Sequence, residues 1–124
     1  MNEEPQTAYD EDDCTWTVAM AFPQGLSPSD EIAHECIVGQ RILAVFHHEG
    51  RWYAIDGMCS HQGGPLAQGH VEAGCVTCPW HGWQYELATG VQTINRQPLQ
   101  SRYRTRVVGN AVEVAIPNSE APIQ

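Results

Sequence analysis

Lysine is missing altogether from the 124 residues, and the six basic side chains are all arginine. Against them stand 15 acids, for a formal net charge of -9. A chain this poor in cations does not bind nucleic acid by neutralising phosphates, so that class of partner is excluded. No apolar run approaches the roughly 18 residues of a membrane-crossing helix, so no membrane partner is expected. The first residues have neither the basic start nor the apolar stretch of a secretory signal, and a cytoplasmic location is expected. No G-x-G-x-x-G is present, so nicotinamide or flavin binding by a Rossmann unit is not expected. The length suits one domain and leaves no room for a second.

The acidity is unevenly placed. Residues 1–13 carry Glu3, Glu4, Asp10, Glu11, Asp12 and Asp13 and no base, whereas residues 14–116 hold eight acids and six arginines. The first stretch has too few apolar groups to offset its ordering entropy, so residues 1–13 read as a flexible acidic tail. Residues 117–124 read as a second, C-terminal tail, which leaves one domain over 14–116.

That body reads as strands and turns. Strand-forming residues fill 16–20, and a loop with Pro23, Gly25 and Pro28 follows, in which 27–31 is expected to form a short helical turn. Residues 32–38 alternate, with Ile32, His34, Cys36 and Val38 on one face. With 41–47 and 51–56 they make an antiparallel meander. Seven of the eleven glycines fall in 57–90. This stretch is expected to be poor in regular structure, and such insertions are commonly functional. Strands are expected again at 91–94, 99–108 and 111–116. The last of these places Val112, Val114 and Ile116 on one face. The fold class is all-β: an antiparallel β-sandwich base with an inserted subdomain near 57–90.

Cysteine is the informative residue. There are five, at 14, 36, 59, 75 and 78. An odd number without a secretion signal argues for a reducing compartment and for metal or redox chemistry rather than a disulfide framework. Cys59-Ser60-His61 and Cys78-Pro79-Trp80-His81 are separated by 16 residues. Each pair offers a thiolate and an imidazole from one tight loop. Two such loops side by side make a two-Cys, two-His site suited to zinc or to iron–sulfur. Cys75-x-x-Cys78 adds a zinc-like pair, so zinc stays open on spacing alone.

The flanks go further. The first box reads Cys59-Ser-His61-Gln-Gly63-Gly64-Pro65-Leu66, and the second Cys78-Pro79-Trp80-His81-Gly82-Trp83-Gln84-Tyr85. This C-x-H…C-P-x-H-G pattern resembles the Rieske-type [2Fe–2S] proteins, and the likeness covers roughly residues 14–116. The resemblance implies one [2Fe–2S] cluster per chain. Cys59 and Cys78 would bind the inner iron, and His61 and His81 the outer one. It also implies supporting roles around the cluster. Gly63, Gly64 and Gly82 would bring backbone N–H groups close to sulfur. Pro79 would stiffen the second loop, and Pro65 (with Pro98) would cover the cluster. Trp80 and Trp83 would shield the site, dock a partner or simply pack. Tyr85 matches a tyrosine that donates to a ligand sulfur.

Two departures bear on subtype. High-potential respiratory members carry a second cysteine in each box, and here those positions are Gly64 and Trp80. They also place a serine two residues after the last histidine, where this chain has Trp83. Fewer donors imply a potential in the lower part of the Rieske range of about -150 to +300 mV. Cys75 reads as a small buried residue, and Cys14 and Cys36 as structural. His34, His47, His48 and His70 lack a cysteine at ligand spacing. Rieske oxygenases add a second domain with a 2-His-1-carboxylate iron, for which the few residues after Ile116 are too short.

The expected role is therefore that of a carrier and not an enzyme. A monomeric, oxygenase-ferredoxin-like protein would pass single electrons from a reductase to an oxygenase or other acceptor. A small subunit of a larger oxidoreductase, such as a nitrite-reductase-like complex, is the alternative, and a zinc-binding structural module the remaining one. Arg102, Arg104 and Arg106 alternate and would share one strand face. The plain reading is a solvated or charged edge. The functional reading is a basic patch that docks a partner or the protein's own acidic tail.

Overall fold

The computed structural model describes residues 14–60, 63–80 and 82–118. Among the described residues ten strands run in chain order: β1 (Cys14–Ala21), β2 (Ile32–Val38), β3 (Arg41–His48), β4 (Arg51–Asp56), β5 (His70–Glu72), β6 (Cys75–Thr77), β7 (Gln84–Glu86), β8 (Arg102–Tyr103), β9 (Thr105–Val108) and β10 (Ala111–Pro117). They form three antiparallel sheets, ordered β1-β10-β9, β2-β3-β4-β8 and β5-β6-β7. The two ends of the chain close the first sheet, with Cys14 opposite Pro117 and Ala21 opposite Ala111. Among the described residues no helix is long and apolar enough to cross a membrane.

The central strand explains the layering. Leu43, Ala44, Val45 and Phe46 of β3 are all fully buried. Successive side chains point to opposite faces of a sheet, so a run buried on both faces needs partners on both. Leu43 and Val45 join Val38, Ala54, Tyr103, Val112 and Val114 in the core between the first two sheets. Ala44 and Phe46 join Ile55, Cys59, Leu66, Val76, Cys78, Tyr85 and Leu87 in a second core beneath the small third sheet. Burial of a side chain such as Leu43 or Phe46 contributes about 1.5–3 kcal/mol. One strand thereby fastens the sandwich base to the layer that carries both cysteine boxes.

The β2-β3-β4 meander has the expected register, with Cys36 opposite Leu43 and Phe46 opposite Tyr53. Several expectations are corrected. Residues 27–31 form no helical turn: Asp30 turns the chain by accepting the Ser27 N–H at Oδ2 (2.9 Å) and donating its own N–H to the Ser27 carbonyl (3.0 Å). Ile32, His34, Cys36 and Val38 do share a face of the regular β2 strand, with His34 exposed at its outer part. Residues 57–90 are not poor in regular structure, since they contain the β5-β6-β7 sheet and a 3₁₀ turn over Leu66–Gln68. Residues 91–94 are not a strand beyond a single bridge of Gln92 to Tyr85. The Gln92 side chain accepts the N–H groups of Ile94 (3.0 Å) and Asn95 (2.7 Å), which curls the backbone away from extension. The expected strand over 99–108 splits into β8 and β9, because the chain crosses between sheets at Arg104.

Candidate iron–sulfur centre

Two arches of identical hydrogen bonding carry the cysteines. In the first, the Cys59 N–H donates to the Gly64 carbonyl (2.8 Å), and the Gly63 N–H donates to the Cys59 carbonyl (2.7 Å). In the second, the Cys78 N–H donates to the Trp83 carbonyl (2.7 Å), and the Gly82 N–H donates to the Cys78 carbonyl (3.1 Å). The fourth residue after each cysteine is a left-handed glycine, Gly63 at φ 78° and Gly82 at φ 79°. That conformation costs an L-residue about 1–2 kcal/mol, so each box needs glycine there. The spacings Cys-x-His-x-Gly and Cys-x-x-His-Gly are two ways of writing one backbone shape. His61 and His81 stand within these arches in sequence and lie outside the described residues.

Both thiols are buried, each only 3% exposed. The arches also touch. A Cβ on Gly64 would stand 2.6 Å from Cys78 Sγ and 3.1 Å from Trp80 Cγ, so this glycine is required by close approach rather than by φ. Each sulfur meets a donor. The Trp80 N–H points to Cys78 Sγ at 3.5 Å, and the Tyr85 hydroxyl lies 3.1 Å from Cys59 Sγ. Tyr85 is fully buried and also meets the Ser60 hydroxyl at 3.0 Å. Burial, reinforced by the contact with Cys59, pushes the phenol up to about 12, so it keeps its proton and remains a donor. Donors on two buried sulfurs of one core suit anionic thiolate, and the residues present fit an iron–sulfur group.

Two participants escaped the sequence reading. Ser60 extends the hydroxyl chain to Tyr85. Gln100, only 2% exposed, clamps the first arch from a distant loop. Its Oε1 accepts the Ser60 N–H (2.9 Å), and its Nε2 donates to the carbonyls of Asp56 (3.1 Å) and Met58 (2.9 Å). Pro98, expected to cover the cluster, is exposed. A lone glutamine in a stretch without periodicity offers no local signal. Its only mark is a polar side chain that must be satisfied wherever it is buried.

The remaining expected residues sort themselves by position. Pro65 bridges to Met58 at the foot of the first arch. Pro79 is exposed. Trp83 packs against the second core, whereas Trp80 is 55% exposed. Cys75 is half-buried and not fully buried as expected. It sits in β6 beside Val76, whose side chain enters the core that holds Cys59 and Cys78. Strand alternation turns Cys75 to the opposite face, away from the two thiols.

This geometry and the sequence agree with a family assignment. The model of the Rieske [2Fe–2S] domain matches residues 17–108. The chain belongs to that family. It is 34% identical over 82 residues to the ferredoxin subunit of anthranilate 1,2-dioxygenase from Burkholderia cepacia, covering 64% of this chain and 75% of that one. A human Rieske domain-containing protein is 41% identical over 66 residues, covering 48% of this chain and 42% of the relative. The chain thus spans less than half of that relative's length. Among solved structures, the ferredoxin of carbazole 1,9a-dioxygenase from Nocardioides aromaticivorans superposes with a TM-score of 0.63 at 26% identity, covering 78% of this chain and 94% of that one.

Proposed function

We propose that Cys59, His61, Cys78 and His81 hold one Rieske [2Fe–2S] cluster, the cysteines on one iron and the histidines on the other. The protein then acts as a one-electron carrier between a reductase and an oxygenase. The observation that carries this reading is the matched pair of arches, which meet where Gly64 approaches Cys78, with both thiols buried. The cluster supplies one-electron storage. The chain supplies the rest: Tyr85 and the Trp80 N–H donate to the sulfurs, and Gln100 fixes the first arch.

The relatives named above as dioxygenase ferredoxins support oxygenase as the acceptor class. Met58 and Trp80, each next to a cysteine arch and 48% and 55% exposed, offer the acceptor an apolar rim. With no inter-loop disulfide, and Trp83 in place of a serine, the potential falls in the lower part of the range of about -150 to +300 mV. The functional unit is residues 14–116, with the cluster held by 57–90, and the protein acts as a monomeric, cytoplasmic shuttle.

Visible absorption and EPR before and after dithionite test the reading. A brown protein giving a rhombic Rieske-type signal on reduction is the expected result. A colourless protein holding stoichiometric zinc, made with adequate iron and sulfide, overturns it. A native mass equal to one chain supports the shuttle over a permanent subunit.

A further inference from the structure

Four of the six arginines line one open groove of about 520 Å³ on the sandwich base. Arg51 comes from β4, Arg102 from β8, Arg104 from the crossing between sheets, and Arg106 from β9. Trp16 and Trp52 form apolar wall between them. The guanidinium of Arg106 lies 4.2 Å, and that of Arg104 5.4 Å, from the centre of the Trp16 ring. Among the described residues lining the groove there is no acid. Glu113, from β10, holds Arg106 at 2.7 Å. The sequence placed three of these arginines on one strand face. The structure adds the fourth and bends them around a concave surface.

We propose that this groove binds the chain's own acidic segment, residues 1–13. Three facts select that occupant. The segment carries six acids and no base, which complements a wall of four arginines. It joins the fold at Cys14, and Trp16, two residues further along β1, is itself part of the wall. Asp12 and Asp13 are therefore within a few residues of the groove, and an extended span of 13 residues reaches about 40 Å. The tether raises the segment's effective concentration to the order of millimolar, which favours it over a free acidic peptide of equal affinity. Carboxylate forks on arginine, beside stacked guanidinium on Trp16, are the contacts this surface is built to make. Ordering the segment there turns a net cationic surface neutral or acidic. An acidic partner would then meet the groove only after the segment leaves it. The inference is independent of the redox reading.

The test uses the full chain with its cluster and a labelled synthetic peptide of residues 1–13, followed by fluorescence anisotropy. In the wild type the groove is self-occupied and the peptide binds weakly. In the full-length variant Asp10→Asn, Glu11→Gln, Asp12→Asn, Asp13→Asn the groove is open, and the peptide binds about tenfold more tightly. That binding weakens as salt is raised from about 0.05 to 0.5 M. Adding Arg51→Glu and Arg104→Glu to this variant abolishes it. If charge reversal bleaches the visible spectrum, the Arg51→Gln, Arg104→Gln pair replaces it, with a partial loss expected. Equal peptide affinity for the wild type and the neutralised variant overturns the proposal, because the groove then serves another chain's acidic segment or none. Peptide binding unchanged by either arginine pair overturns it as well. An intact visible spectrum throughout separates these outcomes from any failure of the cluster assignment.

Discussion

The two cysteine arches share a backbone and differ in what supports it. Both close with the same two hydrogen bonds and the same left-handed glycine. The first arch, however, is held from outside by Gln100, which accepts the Ser60 N–H, and by Tyr85, which meets the Ser60 hydroxyl and Cys59 Sγ. The second lies between the short strands β6 and β7, pinned at Thr77 and Gln84 by their pairing. A loop between paired strands inherits its geometry from their register. The first arch has only the single bridge of Met58 to Pro65 at its foot before the chain enters a 3₁₀ turn, so side chains add to its frame. The same shape is thus framed once by paired strands and once by a single bridge reinforced by distant polar contacts, so the arches should respond differently to substitution.

Glycine substitution gives the largest contrast. Gly64→Ala drives a methyl to 2.6 Å from Cys78 Sγ, against a buried atom with no space to move. This variant is expected to lose most of its visible absorbance after purification. Gly82→Ala meets nothing within 4 Å and carries only the strain of φ 79°, so it should load its cluster at a cost of about 1–2 kcal/mol. Equal loss of colour in both would show that conformation, not approach, governs the site.

Gln100→Leu comes next. It strands the Ser60 N–H and the carbonyls of Asp56 and Met58, at about 1–3 kcal/mol for each group that water does not reach. The temperature at which the visible absorbance bleaches should fall clearly.

Tyr85→Phe is milder. It removes the hydroxyl that meets Cys59 Sγ while leaving the packing in place. The colour should persist, and voltammetry should show the potential lowered by tens of millivolts, on a scale where about 59 mV is a tenfold change in a one-electron equilibrium. Ser60→Ala should move it the same way by less. Cys75→Ala should leave the spectrum unchanged, and loss of colour would put Cys75 among the ligands.

The smallest effect lies at the end of β7. A hydrogen bond from Thr89, joined by Arg96, holds the Glu86 carboxyl below the usual carboxylate range. Its folded value is lower than its unfolded one, so its stabilisation is complete above the ordinary carboxylate pKa and is lost as the pH falls below it. Glu86→Gln should therefore flatten the acid limb of thermal stability between about pH 3 and 5 and leave neutral pH little changed.

Much of this molecule could be read from the chain. The alternation of β2 and β10 and the turns that bound 41–47 and 51–56 predicted the strands, because burial on one face is written into a period of two. The cysteine boxes with their glycines predicted the arches, because those hydrogen bonds close within six residues. The readings that failed concern segments whose conformation is imposed by side chains or by a change of sheet. Gln92 curls 91–95 where extension was expected, and 99–108 breaks at Arg104.

Sequence alone determined the family, the two boxes and the acidic segment, because each is a property of neighbours along the chain. Tertiary structure decided the rest. Tyr85 reaches Cys59 across 26 residues, Gln100 reaches Ser60 across 40, and four arginines from β4, β8, β9 and the crossing at Arg104 meet in one groove. Cys75, three residues from Cys78, is turned away from it by strand pleating. Contacts of this kind depend on how sheets stack and where the chain crosses between them, and no local pattern of residues carries that information.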